Sequence, residues 1–211
     1  CLGLAGSNGS GKSTLLRLLA QVQRPDSGDV LYRGRSVLGD RQFLRRTLGY
    51  APQSAELAAG LTVEGQLKLW QRACGLTGPV PGEVLELLGL EELLRRPIRA
   101  LSGGMAQRVA LVRTLINQPD ILLLDEPLGA LDAFTRMNMQ DEILAMWRSR
   151  RQLAVMVTHD VDEAIYMGSR VLGMAAAPGR IKADIPVGLP SPRVRSSDAF
   201  IEYRKQIMDL L

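Results

Sequence analysis

Apolar residues in this chain follow two kinds of pattern, short unbroken runs and longer stretches with helical spacing. Unbroken runs are typical of strands buried on both faces of a sheet, and they occur at residues 1–5, 120–124 and 153–157. Helical spacing predicts a helix directly after Ser13 and Thr14 and two longer helices, at residues 104–117 and 133–150. Because strands and helices alternate in this order, the sequence predicts an α/β fold with a mostly parallel sheet.

One region interrupts this alternation. Residues 63–73 and 82–94 have helical spacing with no strand between them, and residues 75–81 form a linker-like turn. We therefore expect a helical insertion of roughly fifty residues. The remaining elements are predicted as strands at residues 29–32, 48–51, 170–174 and 180–185, and as helices at residues 41–46, 161–167 and 198–211. The first strand has nothing before it to pair with, so we expect a truncated N-terminus.

Composition narrows the class of protein. The 211 residues are 46% hydrophobic and 23% charged, which suits one globular domain. The net charge is +4, but the basic residues are spread along the chain, which argues against nucleic-acid binding.

The apolar runs are far shorter than the ~18 residues of a membrane span, so a membrane would be reached only through a partner. Two cysteines, Cys1 and Cys74, and the single His159 predict neither a metal framework nor a disulfide framework, and a reducing cytoplasm fits.

The strongest motif is a glycine-rich loop. Residues 6–13 read Gly-Ser-Asn-Gly-Ser-Gly-Lys-Ser and match the phosphate-loop pattern, between a predicted strand and a predicted helix. Glycines let backbone N–H groups approach phosphate oxygens, and the helix N-terminus adds a positive dipole. Lys12 is predicted to neutralise the β- and γ-phosphates and Ser13 to ligate Mg²⁺. The predicted nucleotide-binding residues of this loop are Gly6, Ser7, Asn8, Gly9, Ser10, Gly11, Lys12, Ser13 and Thr14.

A second motif is the apolar strand that ends in two carboxylates, Asp125 and Glu126. In an open α/β sheet this strand end would emerge at the same edge as the phosphate loop. Asp125 is predicted to hold Mg²⁺ directly or through water, and Glu126 is predicted to polarise the attacking water.

A third motif, Leu-Ser-Gly-Gly-Met-Ala-Gln-Arg at residues 101–108, lies directly before a predicted helix. The Ser102 hydroxyl, the N–H groups of Gly103 and Gly104 and the helix N-terminus form a second phosphate cradle. One cradle already serves the nucleotide within the chain. The second is therefore expected to receive a nucleotide from another copy.

Together these motifs resemble the full motif set of the ATP-binding cassette (ABC) family, over nearly the whole chain. The set also includes Pro52-Gln53, Gly129-Ala130-Leu131-Asp132 and Thr158-His159-Asp160. The resemblance implies a P-loop NTPase of the RecA-like type, with a mostly parallel sheet core, an inserted α-helical subdomain and missing N-terminal strands. It divides the single ATPase domain into a core of residues 1–53 and 105–185, a helical subdomain of residues 54–104, and a C-terminal link and helix of residues 186–211.

The resemblance also implies roles for residues outside the first loop. Gln53 would contact Mg²⁺ or the attacking water and sense the transporter. Ser102 and Gly104 would bind the γ-phosphate held by an opposing subunit, and Asp132 would link the two sites across the dimer. His159 would steady the γ-phosphate and the water, although a lone histidine at a strand end is by itself more often structural.

Within the family, residues 125–133, 135–136, 139–140, 158–164, 178–181 and 185–193 resemble the nitrate, sulfonate and taurine importers. This resemblance implies ATP hydrolysis that powers uptake of a similar small solute. The implied partners are a second ATPase subunit, transmembrane permease subunits and an extracytoplasmic solute-binding protein. They would place the chain at the cytoplasmic face of the cell membrane.

Other classes of function use parts of the same pattern. The ABC ATPase of an exporter, or of a soluble regulatory or assembly complex, would undergo the same ATP-driven closure. A P-loop kinase or GTPase is disfavoured by the second phosphate cradle. The aromatic residue that stacks on adenine in the family lies upstream of the phosphate loop, outside this sequence.

Overall fold

The computed structural model describes residues 1–54, 56–129, 131–150 and 152–211. Ala130, a member of the predicted motif at residues 129–132, lies outside the described residues. The chain divides into two compact units. Unit 1 comprises Cys1–Gly39, Leu123–Glu126 and Leu153–Leu211, and unit 2 comprises Asp40–Leu122 and Pro127–Gln152. The functional division at residues 53/54 and 104/105 stays a prediction.

The strands, in chain order, are β1 (Leu2–Gly6), β2 (Leu31–Tyr32), β3 (Arg35–Ser36), β4 (Leu48–Ala51), β5 (Ile121–Asp125), β6 (Leu153–Val157), β7 (Arg170–Ala175) and β8 (Arg180–Pro186). The helices are α1 (Lys12–Leu19), α2 (Arg41–Thr47), α3 (Val63–Ala73), α4 (Gly82–Leu87), α5 (Gly103–Leu115), α6 (Ala133–Arg150), α7 (Val161–Met167) and α8 (Asp198–Leu210).

Unit 1 is built on a sheet with the strand order β5-β6-β1-β7-β8. The central strand β1 pairs in parallel with β6 and with β7, whereas β7 and β8 pair antiparallel. Leu4 of β1 and Val157 of β6 are register partners, and both are fully buried. The carboxyl ends of three strands meet here, because the Thr158 N–H donates to the Leu4 carbonyl and the Glu126 N–H donates to the Val157 carbonyl. The loops after these strands therefore converge at one edge of the sheet.

Unit 2 packs α2 and α5 against β4. A Cβ atom added at Gly49 of β4 would lie 2.5 Å from the Thr114 carbonyl oxygen of α5, so only glycine allows this approach. The Arg113 guanidinium lies 5.1 Å from the centre of the Trp70 ring, which joins α5 to α3. Trp147 of α6 is 6% exposed.

Several predicted elements occur with the predicted bounds, among them β4, β6, α3, α6 and α7. The continuous helix predicted at residues 82–94 is wrong. The helix α4 ends at Leu87, Gly89 has a φ of +57°, and a separate 3-10 turn follows at Glu91–Leu93. A left-handed glycine ends a helix, and the apolar periodicity on either side conceals this break.

In the part of the chain that the structure describes, none of the helices is both long and apolar enough to span a membrane.

Candidate active site

The phosphate loop connects β1 to α1 and is shaped by left-handed glycines. Gly9 has a φ of +80°, and Gly11, which precedes the first residue of α1, has a φ of +89°. A Cβ atom added at either glycine would meet no other atom within 4 Å, so the space beside this backbone is open. The loop thus offers backbone N–H groups and a helix N-terminus to an anion, which is the arrangement that phosphates require.

Lys12 lies inside this loop, and only 6% of the residue is exposed. Its ammonium group donates to the carbonyl oxygens of Gly6 at 2.7 Å and Ser7 at 2.9 Å, and to the Ser10 hydroxyl at 3.4 Å. Burial lowers the pKa of Lys12, while the nearby carboxylates of Glu126 and Asp125 oppose this effect. The cation is therefore fixed between the loop and two acidic residues, where phosphate charge would stabilise it.

Asp125, the last residue of β5, is fully buried, and its Oδ1 accepts a hydrogen bond of 2.8 Å from the Ser13 hydroxyl. The other carboxylate oxygen, Oδ2, is also buried and has no hydrogen-bond partner within the described residues. Burial raises the pKa of Asp125, and the hydrogen bond from Ser13 opposes that rise. A hydroxyl beside a buried, under-coordinated carboxylate is an oxygen donor set that fits Mg²⁺.

Glu126 follows β5 in a left-handed conformation with a φ of +47°, which is unusual for a residue other than glycine. Its N–H is held by the Val157 carbonyl at 2.9 Å. One carboxylate oxygen of Glu126 lies 3.3 Å from Nδ1 of His159, and the two side chains are 17% and 55% exposed. Backbone strain of this kind concentrates at functional sites, where it directs a side chain. Here it brings Glu126 and His159 together at the edge of the sheet.

The other predicted site residues belong to unit 2. Ser102 caps α5, and its hydroxyl accepts from the Met105 N–H at 3.3 Å. A Cβ atom added at Gly104 would lie 2.8 Å from the Leu131 side chain, whereas one added at Gly103 would meet nothing within 4 Å. Asp132 accepts from the Thr135 N–H at 3.0 Å, and this hydrogen bond lowers the pKa of Asp132. Gln53 is exposed, two residues beyond the end of β4.

Gly179, in the turn between β7 and β8, was not predicted as a site residue. A Cβ atom added there would lie 2.8 Å from the carbonyl oxygen of Ser10, the fully buried serine of the phosphate loop. The only sequence signal was the Pro178-Gly179 pair, which contributed to the family resemblance and not to the site. The contact joins residues far apart in sequence, so local spacing does not reveal it.

Unit 1 therefore brings together Lys12, Ser13, Asp125, Glu126 and His159. The site combines a cationic loop with an open backbone, an oxygen donor pair suited to a divalent cation, and the additional carboxylate of Glu126. These three features define a nucleoside-triphosphate site of the P-loop class. A comparison with protein-family models identifies the family within this class, because the model described as ABC transporter matches residues 1–129. The chain belongs to the ABC transporter ATPase family.

Curated relatives match nearly the whole chain. The aliphatic sulfonates import ATP-binding protein SsuB of Bacillus licheniformis is 38% identical over 213 aligned residues, which cover 98% of this chain and 80% of that protein. SsuB of Bacillus subtilis is 39% identical, with 98% and 80% covered. An uncharacterized ABC transporter ATP-binding protein of Methanocaldococcus jannaschii, MJ0412, is 39% identical, with 100% and 79% covered.

Solved structures agree with the fold. The dimeric, post-hydrolysis structure of the ATP-binding cassette MJ0796 bound to ADP and Pi has a TM-score of 0.78 and 26% identity, and the match covers 88% of this chain and 84% of that one. A second dimeric MJ0796 structure gives 0.77 and 28%, with the same coverage. The predicted P-loop α/β fold and the predicted ABC ATPase activity are confirmed, and the chain is an ATP-binding subunit of a transporter.

Proposed function

We propose that this chain powers an importer of small solutes of the sulfonate, taurine or nitrate type by binding and hydrolysing Mg·ATP. The observation that carries the proposal is the cluster of Lys12, Ser13, Asp125, Glu126 and His159 in unit 1. Near-complete alignment with sulfonate importer subunits supports the finer assignment to import.

The residues of the first loop would hold the nucleotide. The backbone at Gly9 and Gly11 borders open space, so the N–H groups of this loop would bind phosphate oxygens there. The Lys12 ammonium would exchange its contacts with loop carbonyls for phosphate oxygens. Ser13 and Asp125 would hold Mg²⁺, which when bound neutralises phosphate charge. Coordination would complete the environment of the buried Asp125 Oδ2.

Glu126 and His159 would carry the chemistry. The Glu126 carboxylate, in its left-handed backbone position, would accept a proton from the water that attacks the γ-phosphate. His159 Nδ1 lies 3.3 Å from the same carboxylate, so His159 would orient Glu126 and steady the γ-phosphate and the attacking water. Gln53 would contact Mg²⁺ or the attacking water and relay the state of the transporter.

The second cradle would act on a nucleotide bound by another copy. Ser102, Gly103 and Gly104 stand at the N-terminus of α5, a thirteen-residue helix whose dipole favours an anion. Asp132, at the N-terminus of α6, would link the two sites across the dimer. Dimeric cassette structures of MJ0796 support this arrangement.

Closure of the dimer around two Mg·ATP would drive transmembrane permease subunits, and hydrolysis would reopen it. The chain would then reside at the cytoplasmic face of the membrane, and an extracytoplasmic solute-binding protein would deliver the solute. The relatives that are named as import ATP-binding proteins support a role in solute uptake.

The first experiment measures the oligomeric state of the Glu126→Gln variant by light scattering, with and without Mg·ATP. Removing the base should trap ATP between two chains, so we expect a monomer without nucleotide and a dimer with it. A chain that binds ATP, as shown by equilibrium binding, and yet remains monomeric contradicts the shared-site mechanism.

A second experiment addresses the solute. A strain that lacks this gene is grown with an alkanesulfonate, taurine or sulfate as the sole sulfur source, or with nitrate as the sole nitrogen source. We expect loss of growth on one of the first two or on nitrate, restored by the wild-type gene and not by Glu126→Gln. Unchanged growth and unchanged uptake of all these solutes would refute the finer assignment.

A further inference from the structure

The helix α7 begins directly after His159, and its first turn is tied to the strand edge. The Asp160 carboxylate accepts from the N–H groups of Asp162 at 2.9 Å and Glu163 at 3.2 Å. The Asp160 N–H donates to the Thr158 hydroxyl at 3.0 Å. The position of His159 is therefore coupled to the position of α7 through a continuous set of local hydrogen bonds.

Three arginines of the C-terminal segment, residues 187–211, contact α7 through hydrogen bonds, an ion pair and a ring contact. Arg204 of α8 forms a two-pronged ion pair with Asp162 in the first turn of α7, with N···O distances of 2.5 and 2.6 Å. Arg193 donates to the carbonyl oxygens of Ile165, Tyr166 and Gly168, the last two at 3.1 and 2.6 Å, and so satisfies the carboxyl end of the helix. The Arg195 guanidinium lies 3.5 Å from the centre of the Tyr166 ring.

Of these contacts, the pair formed by Arg204 and Asp162 involves the residue of α7 that is nearest to His159 in sequence. Asp162 is three residues from His159, and α7 has only seven residues, so displacement at its first turn moves the residues that precede it. Both side chains of the pair are about one-third exposed, and such pairs add little to stability. Their fixed two-pronged geometry instead gives orientation, which a planar guanidinium supplies better than an ammonium group.

We propose that Arg204 is a positioning residue for ATP hydrolysis, which acts by holding α7 so that His159 stays against Glu126. The inference rests on the role proposed above for His159. It adds that the C-terminal helix α8, remote in sequence from every nucleotide-binding motif, controls the catalytic rate and not the affinity for nucleotide.

The test compares kcat and KM for ATP in full-length wild type, Arg204→Gln and Arg204→Lys, under the conditions that support turnover. We expect Arg204→Gln to lower kcat about tenfold, because small displacements of catalytic groups are costly, and to leave KM for ATP unchanged. Arg204→Lys should retain part of the rate, since lysine keeps the positive charge but cannot form the two-pronged contact with Asp162.

A matched control is the Arg170–Asp184 pair, which joins β7 to β8. It is also two-pronged, with an Nε···Oδ1 distance of 2.5 Å, and it is more exposed than the pair on α7. Asp184→Asn should leave kcat unchanged. Equal loss of rate in Asp184→Asn and Arg204→Gln would indicate a general effect of breaking a surface pair and would overturn the proposal.

A spectroscopic readout follows His159 itself. It is the only histidine among these 211 residues, and its ring Cε1–H signal is identified as the one that His159→Ala removes. In Arg204→Gln we expect this signal to move in the direction that Glu126→Gln moves it, because both changes separate the imidazole from the carboxylate. Asp184→Asn should leave it in place.

Measurements in a His159→Ala background separate this proposal from the proposed function. If Arg204 acts through His159, Arg204→Gln adds no further loss of kcat there. If His159→Ala alone leaves kcat unchanged, the role proposed for His159 fails. If His159→Ala lowers kcat while Arg204→Gln changes neither kcat nor the histidine signal, the positioning role fails and the proposed function stands.

Discussion

At the scale of single residues, burial of the Asp125 carboxylate lowers the stability of the folded chain. Asp125 is a buried carboxylate with one oxygen hydrogen-bonded to Ser13 and the other unpartnered within the described residues. Its pKa is raised chiefly by burial, so the charged form is less stable in the folded chain than in the unfolded one. The folded chain is thus less stable because this carboxylate, the proposed Mg²⁺ ligand, is buried.

Replacing this carboxylate by an amide should stabilise the nucleotide-free chain. Because the folded pKa of Asp125 lies above its unfolded value, its favourable contribution is complete below the unfolded pKa and is lost as the pH rises through the folded pKa. We expect Asp125→Asn to raise Tm by about 2–4 °C near neutral pH, which corresponds to ~1 kcal/mol for a chain of this size. Scanning calorimetry from acid to neutral pH should show the gain growing with pH. A gain that shrinks with pH would contradict this account.

The contact of Gly179 with the phosphate loop predicts an effect on affinity. In Gly179→Ala the new Cβ atom would press on the Ser10 carbonyl, which is backbone and yields only if the loop moves. Overpacking of this kind costs about 1–3 kcal/mol, so we expect ATP affinity to fall about tenfold.

Equilibrium ATP binding measures this change, with Gly188→Ala as the control. A Cβ atom at Gly188 has its nearest neighbour at 3.6 Å, an ordinary contact. Equal ATP affinities in the two variants would show that Gly179 does not shape the phosphate loop.

At the scale of elements, two helices begin with the same kind of serine cap, and only one of the two caps has a proposed role in nucleotide binding. Ser102 caps α5 and Ser197 caps α8, and in both the serine hydroxyl accepts a backbone N–H at 3.3 Å. Loss of a serine cap typically costs about 1 kcal/mol. The two helices differ in what the cap would face, because only Ser102 belongs to the proposed second cradle.

We therefore expect Ser102→Ala and Ser197→Ala to lower Tm by a similar amount, about 2–4 °C. In the Glu126→Gln background only Ser102→Ala should weaken the ATP-dependent dimer, measured by light scattering across a range of protein concentrations. Dimers of equal stability in both variants would mean that Ser102 serves only as a helix cap.

Elements also show how far the sequence could predict the molecule. The phosphate loop, the acidic strand end and the serine-glycine turn were predictable because each is a contiguous motif with a local physical requirement, such as left-handed glycines at positions 9 and 11. The short strand β3 and the break of helical structure at Gly89 were missed, because two residues give no periodicity and one glycine is compatible with a helix. The ion pair from Arg204 to Asp162 joins residues 42 positions apart, and no local pattern encodes it.

At the scale of the whole molecule, the chain crosses between its two units within one strand. Ile121 and Leu122 of β5 belong to unit 2, whereas Leu123, Leu124 and Asp125 belong to unit 1. Asp125, the proposed metal ligand, therefore ends a strand whose first residues belong to unit 2. Loss of β5 would remove packed residues from both units at once.

This shared strand has an optical consequence. Both tryptophans of the chain, Trp70 and Trp147, lie in unit 2, so indole emission reports on that unit alone, whereas far-ultraviolet circular dichroism follows the backbone of both units. Because unfolding of either unit disrupts β5, we expect the two signals to give the same urea midpoint, which is the signature of one cooperative transition. An emission change that precedes the dichroism change would show that unit 2 melts first. The native chain thus contains its own reporter for whether its two units share one unfolding equilibrium.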